Sequence, residues 1–228
     1  MRIGILAHSF SSAFTLYKAV EDVRGHEVFV ILSPSPHRSA WTSYLANLVR
    51  LLQTFDAKAL QLLVTRRLVQ LRQPLHHERS VETIKKLNLD VGLHKAGVIY
   101  RDVTINAFRL GILNHHIGIL PAYRGRSVME WSILQGGPVG ITVFFIDTGI
   151  DTGSRILFSE HVDISNCGSV TEAKQYLFSL DKVFFPKALA LINDSAPTFQ
   201  LNNGSGKRYF VMSKLFDGVA EQLLNSRS

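Results

Sequence analysis

Two short apolar runs at the start of the chain constrain the fold more than any other feature. Ile3 and Ile5-Leu6 lie within Arg2–Ala7, and Val28-Phe29-Val30-Ile31-Leu32 form an unbroken run. Runs this apolar and this short suit strands buried on both faces, as in a parallel sheet. Between them His8-Ser9-Phe10-Ser11-Ser12 reads as a turn and helix cap, followed by Phe14, Tyr17, Val20 and Val23 at helical spacing and then Gly25. Strand, helix, strand within 33 residues opens an α/β fold. Ser33-Pro34-Ser35-Pro36 breaks the chain.

The same alternation continues. A long helical pattern runs from Trp41 to about Leu71 through Tyr44, Leu45, Leu48, Leu52 and Leu60, and its charges are mainly Arg50, Lys58, Arg66, Arg67 and Arg72 against Asp56. A basic amphipathic helix can meet a membrane surface or an acidic partner; the reading adopted is a helix packed on the domain with its arginines in water. A short helix is expected over 81–87, a strand over 90–97, a helix or turn over 104–108, a strand over 111–116, a helix over 127–135 and a strand over 141–146. One long helix, capped by Ser169 or Thr171, is expected over 169–193, and the chain from about Pro197 reads as a polar, mixed tail with a short strand near 206–210.

A chain of 228 residues can bury a core without disulfides or metals. The single cysteine, Cys167, excludes an intrachain disulfide and fits a reducing compartment, so the expected location is cytoplasmic. With no base or cation beside it in sequence, Cys167 is not assigned a nucleophilic role. His76-His77 lacks a metal-ligand pattern, and no metal is expected. The longest nearly uncharged stretch, 127–146, contains Glu130 and Gly136-Gly137-Pro138, so no transmembrane segment is expected. The formal charge of +7 invites a polyanion partner; the reading adopted is a soluble protein with a Lys-rich surface, and nucleic acid is not the expected partner.

Chemistry concentrates at two strand ends. One is Asn114-His115-His116, running on to Leu120-Pro121-Ala122-Tyr123-Arg124-Gly125. The other is Asp147-Thr148-Gly149-Ile150-Asp151-Thr152-Gly153. Ligands of open parallel sheets sit at the carboxyl ends of strands. An amide, an imidazole and a carboxylate gathered there suit acyl transfer: the amide donates to an oxyanion, the imidazole exchanges protons, and the carboxylate orients it. Strand alternation puts Asn114 and His116 on one face and His115 on the other, which makes His115 a packing or surface residue.

These residues resemble the Asn-x-His…Leu-Pro-x-Tyr/Trp-Arg-Gly signature of folate-dependent formyltransferases. The match extends through Trp131, Gly136, Gly140-Ile141-Thr142 and the Asp-x-Gly-x-Asp-Thr-Gly run, with His116 and Asp151 35 residues apart. The resemblance implies a Rossmann-like core, a mostly parallel sheet with helices on both faces, and a formyl donor, 10-formyl-tetrahydrofolate. It assigns catalysis to Asn114, His116 and Asp151. It places Gly97, Val98 and Ile99 in the folate pocket, together with Asp147, Gly149 and Ile150. By local turn chemistry Asp147 also holds its own loop. Ser9, Gly118 and Arg124 are assigned to the acceptor; Arg124 binds either a structural carboxylate or an acceptor anion. Tyr123 and Trp131 read as core or pocket wall.

The chain departs from the family pattern in places. Ile117 and Gly118 stand where Pro and Ser are common, and the first turn lacks both a Gly-Ser-Asn phosphate loop and Gly-x-Gly-x-x-Gly. Purine synthesis and a nicotinamide cofactor are therefore disfavoured. The expected organisation is a catalytic domain over 1–195, with a basic helical insert at 41–72, and a short carboxyl-terminal element over 196–228. The 35 residues after Asn193 are too few for the separate barrel-like domain of methionyl-transfer-RNA formyltransferases. The expected acceptor is thus a small-molecule amine, phosphorylated or nucleotide-linked. Methionyl-tRNA formylation, hydrolysis of the folate donor, and a non-catalytic folate- or RNA-binding module are the competing readings. The oligomeric state is left open.

Overall fold

A computed structural model describes residues 1–22, 25–35, 39–153, 155–194, 197–202 and 206–226. Val23 and Pro36 lie outside the described residues. The chain forms two compact units, 1–113 and 114–228.

The first unit contains β1 (Arg2–Ala7), α1 (Phe10–Glu21), β2 (Glu27–Leu32), α2 (Ala40–Gln53), α3 (Ala57–Val64), β3 (Leu68–Gln70), α4 (Glu78–Lys86), β4 (Val91–His94) and α5 (Asp102–Ile105). The strand β5 (Gly111–His116) starts here and carries the chain into the second unit. The strand order is β3-β2-β1-β4-β5, and each of these pairings is parallel. In β1 and β2 every residue but the first is buried. Successive side chains point to opposite faces, so both faces of these strands are covered, as their apolar runs require.

The long helix expected over 41–71 is instead two helices and a strand. Thr54 leaves α2 with extended backbone, and Asp56 restarts the helix, its carboxylate accepting the Lys58 amide at 2.9 Å. Arg66 takes a left-handed φ of 54° and ends α3, after which Leu68–Gln70 pair with β2. The apolar spacing runs through the break because Leu52, Phe55 and Leu60 continue it at similar intervals on either side of Thr54–Asp56. The helix expected from Val81 starts at Glu78, where the His77 ring accepts the Arg79 amide at 3.3 Å.

The second unit contains β6 (Tyr123–Gly125), α6 (Val128–Leu134), β7 (Gly140–Phe145), β8 (Arg155–His161), α7 (Val170–Ser179), α8 (Asp181–Asp194), β9 (Gln200–Leu201), β10 (Lys207–Tyr209) and α9 (Lys214–Asn225). Strands β7, β8 and β9 are antiparallel neighbours. The single helix expected over 169–193 is broken by a tight turn in which the Leu180 amide bonds to the Leu177 carbonyl at 3.2 Å. The expected cap is present: Ser169 Oγ accepts the Glu172 amide.

The tail is more ordered than its composition implies. Ser213 caps α9, whose Ala220 and Leu224 are buried. Strand β10 pairs in parallel with β6, and the Tyr123 and Tyr209 rings stack at 5.5 Å. A β-carbon at Gly125 would stand 2.2 Å from the Tyr209 carbonyl oxygen, and Gly125 has a φ of 103°. Only glycine meets both demands.

Candidate active site

Strand β5 ends on the residues singled out by the sequence. His115 is buried against the Phe184 and Phe185 rings, at 5.9 and 6.0 Å. That is the packing position expected for it. Asn114 is half-buried, and among the described residues no side-chain hydrogen bond engages its amide.

His116 is held from two sides within the second unit. Its Nε2 lies 2.8 Å from the Tyr123 carbonyl oxygen, and since a carbonyl only accepts, the proton is on Nε2. Its Nδ1 stands 3.6 Å from Asp151 Oδ2, an ion-pair distance rather than a hydrogen bond. The ring thus donates from Nε2 to a carbonyl on one side and turns Nδ1 towards a carboxylate on the other. The Phe144 ring meets the imidazole edge-on at 6.4 Å.

Asp151 is fixed by its surroundings. Its Oδ2 accepts the Gly125 amide at 2.9 Å, and its carbonyl accepts Asn202 Nδ2 at 3.2 Å. Its φ is 51°, a left-handed value uncommon outside glycine but tolerated by Asp and Asn. The local geometry thus aims the carboxylate back at His116. Asp147 serves its own loop: Oδ1 accepts the Gly149 amide at 2.9 Å and the Thr152 hydroxyl at 2.7 Å. Gly149 is exposed and Ile150 half-buried on that loop.

Gly118 lies beneath the imidazole. A β-carbon there would stand 2.9 Å from His116 Nε2 and 3.0 Å from the Tyr123 carbonyl oxygen. The missing side chain is thus matched to the ring. Arg124 is half-buried in β6, beside Arg208 of β10.

In the first unit, Gly97, Val98 and Ile99 follow β4 and line a cavity of about 620 Å³ with His8, Ser33 and Arg72. This is the carboxyl-end location where open sheets take ligands. His8 Nδ1 meets the Ser33 hydroxyl at 3.0 Å. Tyr100, beside this segment, is buried and meets His94 Nδ1 at 3.0 Å; burial pushes its phenol well above the usual range. Ser9 Oγ accepts from Arg50 Nη1 at 3.4 Å rather than capping α1.

Sequence reasoning missed three groups that hold the pair in place: the Tyr123 carbonyl, the Gly125 amide and Asn202. Two are backbone groups with no side-chain signal, and Asn202 is remote in sequence. It also missed His8 and Arg72, although each follows a strand.

A protein-family model described as "Formyl transferase" matches residues 47–189, more than half of the chain. The chain belongs to the formyl transferase family. The match takes in the polar strand ends of β5 and the Asp151 loop.

A methionyl-tRNA formyltransferase of Chlorobium limicola is 40% identical over 86 residues, 37% of this chain and 27% of that protein. The chain spans less than half the length of the curated relatives it matches. A sugar N-formyltransferase structure from Shewanella superposes with a TM-score of 0.62 at 18% identity, covering 98% of this chain and 87% of the other. The formyltransferase PseJ of Anoxybacillus kamchatkensis, solved with tetrahydrofolate and a UDP-linked formamido sugar, superposes with a TM-score of 0.55 at 17% identity, covering 92% and 85%. These likenesses establish the α/β formyltransferase fold, with its mostly parallel sheet and helices. Among the described residues no helix is long and apolar enough to cross a membrane.

Proposed function

We propose that this chain transfers a formyl group from 10-formyl-tetrahydrofolate to the amine of a small acceptor, phosphorylated or nucleotide-linked, through Asn114, His116 and Asp151. The observation that carries the reading is the pairing of His116 with Asp151 at 3.6 Å beside an Asn114 amide with no side-chain partner among the described residues. This donor set suits a carbonyl oxygen that gains negative charge. The folate supplies an activated formyl carbon when bound.

Asn114 donates its amide hydrogens to the formyl oxygen, and the imidazolium of His116 places positive charge beside it. Donors already aimed at the developing charge need no reorganisation as the reaction proceeds. Asp151 keeps the ring in register and takes the proton released by the attacking amine, which is passed to the leaving folate nitrogen as its bond to the formyl carbon breaks. Its side chain is 13% exposed, so water screens that charge little. In the first unit Gly97, Val98 and Ile99 are assigned to the folate, and in the second unit Asp147, Gly149 and Ile150 are assigned to it as well. Gly118 and Arg124 of the second unit, and Ser9 of the first, are assigned to the acceptor.

A second acceptor, methionyl-tRNA, is favoured by the names of the matched relatives. One experiment separates the readings. The protein is incubated with 10-formyl-tetrahydrofolate and, in parallel, nucleotide-linked amino sugars, phosphorylated amines and methionyl-tRNA, and N-formyl products are read by mass spectrometry. Formylation of a small amine, abolished in Asn114→Ala and His116→Ala, supports the proposal. Formylation of methionyl-tRNA alone replaces the acceptor. Formate release at the same rate with and without amine makes the protein a hydrolase. Variants as active as the parent remove the mechanism.

A further inference from the structure

Helix α2 is turned inside out relative to an ordinary surface helix. Its buried residues are Ser43, Asn47 and Leu51. The two polar ones are tied inward: Asn47 Oδ1 accepts the Phe10 amide at 2.9 Å, Asn47 Nδ2 donates to the His8 carbonyl at 3.2 Å, and Ser43 Oγ accepts the Ser35 amide at 3.2 Å. The apolar residues face outward. Trp41 is 67% exposed, Leu52 66%, and Phe55, in the turn after the helix, 99%; Tyr44, Leu45 and Val49 are exposed beside them. Spacings of three and four residues put these side chains on one stripe. Contiguous apolar patches of this kind on a soluble domain mark interaction sites.

We infer that this stripe is the interface between two copies of the chain, paired through antiparallel α2 helices about a two-fold axis near Leu48. Charge argues for this occupant. Arg50 is the only charged residue of α2, and it reaches the opposite way, to Ser9. Lys58 of α3 is bound to Glu21 and Asp22. Among the described residues the stripe therefore offers no basic residue to lipid headgroups and none to an acidic partner, whereas homodimer interfaces are apolar and poor in charge.

Size agrees. At about 150–250 Å² per aromatic side chain, the exposed parts of Trp41, Tyr44 and Phe55 present roughly 300–500 Å², and those of Leu45, Val49 and Leu52 extend the stripe towards the ~800 Å² per partner of a stable interface. Shape agrees as well. The stripe carries stacked Trp41 and Tyr44 at one end and Leu52 with Phe55 at the other. Antiparallel pairing sets the first end of one copy on the second end of the other, as a self-complementary two-fold contact requires.

Sedimentation velocity at micromolar concentration tests this. The expected result is a species of twice the 25.5 kDa chain mass, reduced to the single-chain mass in Leu45→Glu and Leu52→Glu with unchanged circular dichroism. As a check that does not depend on charged variants folding, Leu48→Cys should give a covalent dimer with a short bismaleimide, since Cys167 is buried. A monomer at all concentrations overturns the proposal, as does a dimer that survives both charged variants or a Leu48→Cys protein that does not cross-link. Flotation of a monomeric protein with phosphatidylserine vesicles would give the face to lipid instead and overturns it too.

Discussion

Nδ1 of His116 and Oδ2 of Asp151 stand 3.6 Å apart, and the same carboxylate oxygen accepts the Gly125 amide at 2.9 Å. The carboxylate is thus held by the backbone of β6 while it faces the ring. Asp151→Asn separates charge from shape, because Asn also tolerates the left-handed backbone at this position. It should lower formyl transfer by about a hundredfold or more, the scale of losing one charge-stabilising group, with little change in melting temperature. Asp151→Ala should lose as much activity and in addition roughly 1–3 kcal/mol of stability from the strained backbone. Single-turnover transfer and thermal melts of both variants check this.

Gly118→Ala should damage catalysis through geometry alone. The added β-carbon would fall 2.9 Å from His116 Nε2 and 3.0 Å from a backbone oxygen that cannot easily retreat. The ring must turn, which breaks its bond to the Tyr123 carbonyl. The expected result is a fall in kcat larger than any rise in KM, with a stability loss of about 1–3 kcal/mol. Steady-state kinetics that match the parent would show that the ring does not need its present orientation.

The parts that were legible in the sequence are those whose signal is local. Strand β5 was read with its full span, because an apolar run ends abruptly in Asn114-His115-His116. Buried β1 and β2 were legible for the same reason. The break at Thr54–Asp56 was not, because hydrophobic spacing continues across it and one capping Asp is a weak signal. Periodicity also reports that α2 has an apolar stripe without reporting its direction. Packing Ser43 and Asn47 inward is a tertiary choice, set by the backbone groups of Phe10, His8 and Ser35 that need partners. In the site, side chains were found and their backbone supports were not.

That inward choice makes Asn47 a structural keystone of the first unit. It is 4% exposed and satisfies the amide of Phe10, the first residue of α1. Asn47→Ala leaves that donor and the His8 carbonyl without their partner, and an unpaired buried polar group costs about 1–3 kcal/mol. Urea unfolding should show an unfolding free energy lower by that amount, seen as a lower midpoint with an unchanged slope. Asn47→Leu, of similar size, should be no better, since the backbone groups remain unpaired.

Asp90 should make stability pH-dependent in acid. Burial pushes its carboxyl up, but the Arg2 amide at 2.8 Å and the Arg109 guanidinium at 2.6 Å outweigh burial and hold it below its usual 3.8. A group that releases its proton more readily in the folded state stabilises the fold while it is ionised. Its contribution is therefore complete above the unfolded value and is lost as pH falls through 3.8 to the lower folded value. Asp90→Asn lacks that contribution at every pH, so the difference in unfolding free energy between parent and variant should be constant from neutral pH down to about pH 5 and then shrink in stronger acid. A difference that grows on acidification would show that the carboxyl is neutral in the folded protein.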